Sequence, residues 1–302
     1  MTPRASSKKL KKTKKATTTS KRSHGLGTLK SGRPPTATST RPSQSAQETR
    51  RQIRTFHTLN KQLAVAEAKG DHAAIAQLKL LLESSGGLGA YQAASIQGQA
   101  LDRGGDSSSV LMNWLAPHQA FLKDLVKAGN GLKLLEVGAL STQNACSKSG
   151  CFDTTRIDLH SQSPGILQQD FMHRPLPTSV EEVFDVISLS LVLNFVPSAE
   201  GRGQMLRRTT QFLRRHPAAV PEVFPALFLV LPAPCINNSR YMSEERLTCM
   251  MGSLGFVLLE RKETAKLVYY LWHLRDMGTE EGWGKKEIRA GRGRNNFCVV
   301  LR

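Results

Sequence analysis

From residue 132 onward the chain alternates short, nearly continuous apolar runs with amphipathic stretches. LKLLEV, residues 132–137, is the first run and leads into Gly138. TRIDLH closes a second run on Asp158, GILQQDF closes a third on Asp170, and FDVISLSLVLNFVP is a fourth, expected to begin near Phe184 and reach Asn194. ALFLVLP, residues 226–232, is a fifth. Runs of this length without polar alternation suit strands covered on both faces, as in a parallel sheet. Residues 199–215 and 243–254 carry apolar positions at helical spacing, and Gly255 is placed to end the second helix. FVLLERKE and the terminal NNFCVVLR read as further strands. The alternation predicts a doubly wound α/β sheet with a largely parallel core.

Upstream the period changes. Ile53, Phe56, Leu59, Leu63 and Ala66 recur at three- and four-residue steps, Gly70 stops that helix, and Asp71 caps a second with Ile75, Leu78, Leu81 and Leu82 on its apolar side. This predicts an αα-hairpin over residues 47–83. It packs on the main domain, or touches RNA through Arg50, Arg51, Arg54 and Lys61. Residues 84–110, rich in Gly, Ser and Gln, are expected to be a loop, and a helix over residues 109–128 must bend or divide at Pro117.

Residues 1–46 have almost nothing to bury and are expected to be disordered. Residues 1–54 hold 15 of the 42 Lys and Arg but a single acid, Glu48, so they carry +14 of the net +18. The high isoelectric point therefore belongs to the tail. KKLKKTKK within it reads as a nuclear or nucleolar address, as an arm for phosphate, or as a plain solvated linker. The expected division is a disordered basic tail at 1–46, a helical extension and loop at 47–128, and the α/β domain at 129–302.

Five irregularly spaced cysteines without a CxxC pair argue against a zinc site and for a reduced compartment. The basic N-terminus lacks the apolar core of a signal peptide, and no run approaches the ~18 apolar residues of a membrane span. His118, His160, His173, His216 and His273 have no metal-ligand spacing.

The chemistry lies at the strand ends. In open α/β sheets ligands bind at the carboxyl edge, at the switch point in strand order. Gly138 after the first strand lets a ligand approach the backbone. Asp158, 20 residues on, can accept from both ribose hydroxyls, and Asp170 lies near the expected adenine. The loop GALSTQ has one glycine where a pyrophosphate cradle usually has three, which suits S-adenosylmethionine (SAM), a cofactor without phosphate.

These segments carry a resemblance. LLEVGAL, TRIDLHS, QQDFMHRPLP, FDVISLSLVLNFVP, LVLPAPCINNSRY and YQAASIQGQ closely resemble the fungal 25S rRNA adenine-N(1) methyltransferases, over about residues 47–302. The resemblance implies a Rossmann-like, SAM-dependent methyltransferase sheet. It implies methyl transfer to N1 of an adenine in large-subunit rRNA, on free RNA or a pre-ribosomal particle, in the nucleolus of the nucleus. It places Gly138 and Asp158 at the family's SAM-contacting positions. A similar animal relative senses SAM in nutrient signalling, so a sensor without methyltransferase activity is the alternative; an RNA-binding assembly factor with a degenerate SAM fold is a third.

Adenine N1 is already a lone-pair nucleophile, so such an enzyme needs alignment more than a strong base. It must also take the base out of pairing. Asn194 and Phe195, after the fourth strand, are the candidates: the Asn194 carbonyl to accept from the N6 amine, and Phe195 to stack. The alternative is that Asn194 caps the next helix and Phe195 is core. The polar run from Asn237 to Tyr241 either shapes the target pocket or is a plain loop. Residues 282–296, with Lys285, Lys286, Arg289, Arg292 and Arg294 among glycines, read as a mobile basic loop for phosphate or as a solvated hairpin.

Overall fold

The computed structural model describes residues 45–98, 105–161, 163–215, 220–279 and 281–302. All but the last two residues of the basic tail expected over residues 1–46 lie outside the described residues.

The αα-hairpin forms as its sequence predicts. Helix α1 is Ala46–Lys69, capped by Ser45, whose Oγ accepts from the Glu48 amide at 3.1 Å. Gly70, at φ 67°, closes it in the left-handed conformation. Asp71 then caps α2 (His72–Ser84), accepting from the Ala74 amide at 3.0 Å. Leu81, expected on the inner stripe of α2, is 52% exposed; Ile75, Leu78 and Leu82 are half-buried.

The loop expected over residues 84–110 is corrected by a third helix, α3 (Gly87–Gly98). Its composition argues against a helix. Packing overrides that composition: Tyr91 stacks on Phe56 of α1 at 4.4 Å between ring centroids, and Gln92 and Ala94 are buried. Pro117 divides the next helical stretch as expected, into α4 (Ser108–Trp114), a 3₁₀ turn at Ala116–His118, and α5 (Gln119–Lys127).

The sheet comprises β1 (Lys133–Val137), β2 (Asp153–Asp158), β3 (Leu167–Gln168), β4 (Val186–Ser190), β5 (Ala226–Pro232), β6 (Phe256–Glu263) and β7 (Leu267–Leu274), in the order β3-β2-β1-β4-β5-β7-β6. The first five pair in parallel; β7 runs antiparallel between β5 and β6. Four further helices, α6 (Ala145–Lys148), α7 (Ala199–Phe212), α8 (Pro234–Asn237) and α9 (Glu244–Ser253), complete the layers. One core joins Leu135, Ile187, Leu227 and Leu229 to α7 and α9, and the other joins Leu134, Val186, Ala226 and Phe228 to α4 and α5. Alternate residues of each central strand thus face opposite layers, which is why these runs are apolar throughout.

Three boundaries differ from the pattern reading. β4 ends at Ser190, four residues before Asn194, because Leu191 turns the chain at φ 59° into a 3₁₀ turn at Leu193–Phe195. β3 stops at Gln168, and Asp170 lies in the turn beyond it. The terminal NNFCVVLR is not a ladder strand. Phe297 to Leu301 is buried beneath α7, held by the Val300 amide on the Ala199 carbonyl at 3.0 Å, and the closing strand is β7 instead.

Candidate functional site

The strand order reverses between β1 and β4, so the switch point lies where those two strands end. Gly138 stands there at φ 75°, and its amide donates to the Ile157 carbonyl of β2 at 2.8 Å. A Cβ at this position would lie 2.6 Å from Val192 Cγ2. The corner after β1 therefore abuts the turn after β4, the turn that carries Asn194.

Glu136, two residues before Gly138, was not singled out in the sequence. One of its carboxylate oxygens accepts from Asn144 Nδ2 at 2.5 Å; the other is buried without a hydrogen-bond partner among the described residues. Burial raises its pKa, opposed by the Asn144 bond. An orphaned buried acceptor beside a glycine corner suits a ligand that brings a donor.

Asp158 ends β2 half-buried, with Oδ1 accepting from the His160 amide at 2.8 Å. Burial raises its pKa as well, and that amide opposes the rise. Asp170 is more occupied: one oxygen accepts from the Met172 amide at 2.8 Å and the other meets His173 Nδ1 at 2.6 Å. Gly138 and Asp158 thus stand at adjacent strand ends, bridged through Ile157, while Asp170 sits beyond the short edge strand.

SAM is the cofactor this corner fits. Gly138 brings the backbone corner close against Val192 where a side chain would clash, Glu136 keeps a buried acceptor without a partner among the described residues, and Asp158 presents a half-buried carboxylate at the next strand end. Asp106, expected in a loop, proves to be a tie. It accepts from the Ser108 amide at 2.9 Å and from the Ala145 amide that opens α6. Beside it, Ser107 Oγ meets Ser190 Oγ at 2.7 Å, fixing the end of β4.

The helical extension roofs this edge. Gln92 of α3 donates to the His160 carbonyl at 2.8 Å, and His57 of α1 lies on the ring of Phe195, 3.7 Å between centroids and 13° from parallel. Lys61 of α1 sits close enough to Cys235 of α8 to influence its thiol. Among the described residues, Asn194 Oδ1 is buried with no hydrogen-bond partner, and so is His57 Nε2. Phe195 is therefore packed on one face, a contact that no local motif announces because His57 is 138 residues away in sequence.

Burial, with Lys61 adding repulsion, lowers the His57 pKa from 6.5 to about 4. Below pH 6.5 the unfolded chain takes up a proton that the folded chain refuses. Its contribution is thus full above pH 6.5 and is lost as pH falls toward 4. Between pH 7.5 and 4.5 wild type should lose on the order of 2 kcal/mol more than His57→Phe, which keeps the stack without the titration. Urea unfolding of both proteins at the two pH values checks this; equal losses would refute it.

The polar cluster and the basic loop form one unit. Arg289 donates to the carbonyls of Asn237, Ile236 and Met242 at 2.5, 2.8 and 2.7 Å, and Arg240 donates to the Gly291 carbonyl at 2.9 Å and Asn296 Oδ1 at 3.0 Å. The loop expected to be mobile is stapled to the segment after β5.

A family model described as Bmt2, 25S rRNA (adenine(2142)-N(1))-methyltransferase, matches residues 76–299. A 25S rRNA adenine-N(1) methyltransferase of Schizosaccharomyces pombe is 43% identical over 214 residues, covering 70% of this chain and 76% of that one. The 25S rRNA (adenine(2142)-N(1))-methyltransferase of Saccharomyces cerevisiae is 37% identical over 219 residues, 72% of this chain and 60% of that one, so the match spans about three fifths of that relative. Among solved structures, the 16S rRNA methylase RmtB overlaps with a TM-score of 0.37 at 12% identity, over 76% of this chain and 99% of that one. The parallel order β3-β2-β1-β4-β5 with its switch point between β1 and β4 shows the fold. On the extent of the family match and the identity to both yeast proteins, the chain belongs to the 25S rRNA adenine-N(1) methyltransferase family.

Proposed function

We propose that this protein transfers a methyl group from SAM to N1 of an adenine in large-subunit 25S rRNA, as a step of ribosome production in the nucleolus. One geometric observation carries the reading: the Gly138 corner abuts Val192, on the turn that presents Asn194, so a cofactor corner and a base-binding turn share a wall.

SAM, when bound, supplies a methyl group already activated on a sulfonium. The chain's own residues bind and align. Glu136 and Asp158, at the ends of β1 and β2, would hold the amine and the hydroxyls of SAM. Asp170, its carboxylate set by Met172 and His173, would lie toward the adenine of the cofactor. Asn194 Oδ1, buried without a partner, accepts from the N6 amine of the target adenine. Alkylation at N1 places positive charge on the ring and its amine, so this hydrogen bond strengthens as the reaction proceeds. The base meets the partly exposed remainder of the Phe195 ring, whose other face His57 covers. No residue needs to remove a proton before the attack.

The test is methyl transfer from labelled SAM to 25S rRNA, or immature large-subunit particles, lacking the modification. Wild type should label adenine at N1. Asn194→Ala should lower turnover by about 10–100-fold, the loss of a charge-assisted hydrogen bond, with unchanged SAM affinity. SAM binding without label in either substrate would overturn the function. Wild-type turnover in Asn194→Ala would remove Asn194 from the site.

A further inference from the structure

The loop after β7 separates its cations into two sets. Arg289 is spent on three carbonyls and Arg294 Nε donates to the Ala290 carbonyl at 2.9 Å, while from α9 Arg246 donates to the Gly284 carbonyl of the loop at 2.5 Å. Asn295 adds backbone pairing with Asn238 at 3.0 Å, and Trp283 Nε1 donates to Ser253 Oγ at 3.0 Å. These bonds hold the loop down. Lys285, Lys286 and Arg292 belong to the other set: all three are exposed. The Lys285 ammonium lies 4.4 Å from the centroid of the Tyr241 ring, which braces its position.

The loop docks on the segment after β5, and β5 is the neighbour of β4, whose turn carries Asn194. Three exposed cations thus sit on a loop stapled to the segment that leaves the carboxyl end of β5. Holding them costs little side-chain or loop ordering when a polyanion arrives, because the loop is already tied. Exposed cations beside a partly exposed Tyr ring suit a nucleic-acid strand, with phosphates to neutralise and bases to stack.

We propose that Lys285, Lys286 and Arg292 form a preset phosphate clamp that grips the rRNA strand flanking the target adenine, with Arg289 and Arg240 as its structural staples. The inference rests on the reading that the protein acts on rRNA. It assigns separate jobs within one basic loop: three residues contact the backbone and the buttressing arginines contact only protein.

The test measures binding of the full chain to an unmodified 25S rRNA fragment containing the target adenine, from 50 to 300 mM salt, for wild type and Lys285→Gln/Lys286→Gln/Arg292→Gln. The slope of log affinity against log salt should become shallower by about 2, at roughly 0.7 per single-strand phosphate contact. Affinity near physiological salt should fall about 10–50-fold, with unchanged SAM affinity and thermal stability. Turnover at saturating RNA should be preserved while KM for RNA rises. An unchanged slope in the triple variant overturns the clamp, even when wild type labels adenine normally. A changed slope in a protein whose wild type binds rRNA but labels no adenine keeps the clamp and overturns the methyl-transfer reading. Arg289→Gln serves as the contrast: it should lower thermal stability and weaken the slope together, and a weakened slope with no stability loss would overturn its role as a staple.

Discussion

Gly138→Arg is expected to abolish SAM binding and to lower methyl transfer by more than about 100-fold, equivalent to at least about 2.7 kcal/mol. Three effects act in one direction. The residue sits at φ 75°, where any side chain costs about 1–2 kcal/mol. Its Cβ would press within 2.6 Å of Val192 Cγ2 and displace the turn that carries Asn194. The long charged side chain would be forced across the ends of β1 and β4, where the proposed cofactor binds. Gly138→Ala applies the first two effects without the third, so it should retain weak binding and lose turnover. Calorimetric titration with SAM, beside circular dichroism to confirm the fold, separates the cases. Wild-type SAM affinity in folded Gly138→Arg would move the cofactor away from this corner.

Gly203→Ala should produce the largest loss of stability, although Gly203 lies in the middle of α7, where Ala is ordinarily favoured by about 1 kcal/mol. A Cβ there would overlap the Val300 carbonyl oxygen and lie 2.7 Å from its carbon. The obstacle is backbone, so no rotamer change relieves it. The C-terminal segment is held on α7 by the Val300 amide on Ala199 and by Arg202, whose guanidinium donates to the Cys298 carbonyl at 2.6 Å and the Pro197 carbonyl at 3.1 Å. Pushing the segment off would break those bonds and expose Phe297, Val299 and Leu301. A loss of about 3 kcal/mol or more is expected, a drop in Tm of roughly 6–12 °C for a domain of this size. Differential scanning calorimetry checks it; a Tm equal to or above wild type would show that the helix and the terminal segment can separate at little cost.

The residues found in advance were those whose role is local. Gly138 and Asp158 follow apolar runs whose ends mark the sheet edge, and both stand there. Gly70, Asp71 and Pro117 act on the backbone within a few residues of themselves, so the helix boundaries they set agree with the pattern. Asn194 and Phe195 were placed at the end of a strand that in fact stops at Ser190. The sharp turn comes from Leu191, a residue type that gives no sign of a positive φ. NNFCVVLR has the composition of a strand, but its neighbour is a helix, and composition does not choose between a ladder and a groove.

What the order of apolar runs determined by itself was an α/β sheet with Gly138 and Asp158 at the carboxyl ends of its first two strands, because a two-faced burial pattern and strand-end residues are written along the chain. What only the tertiary structure decided was the pairing across distance. It laid His57 on Phe195, left Glu136 and Asn194 each with a buried unpartnered oxygen, and divided the basic loop into staples and exposed cations. Those outcomes depend on which surfaces meet when the helical extension and the terminal segment pack, and such contacts leave no period or spacing in the sequence.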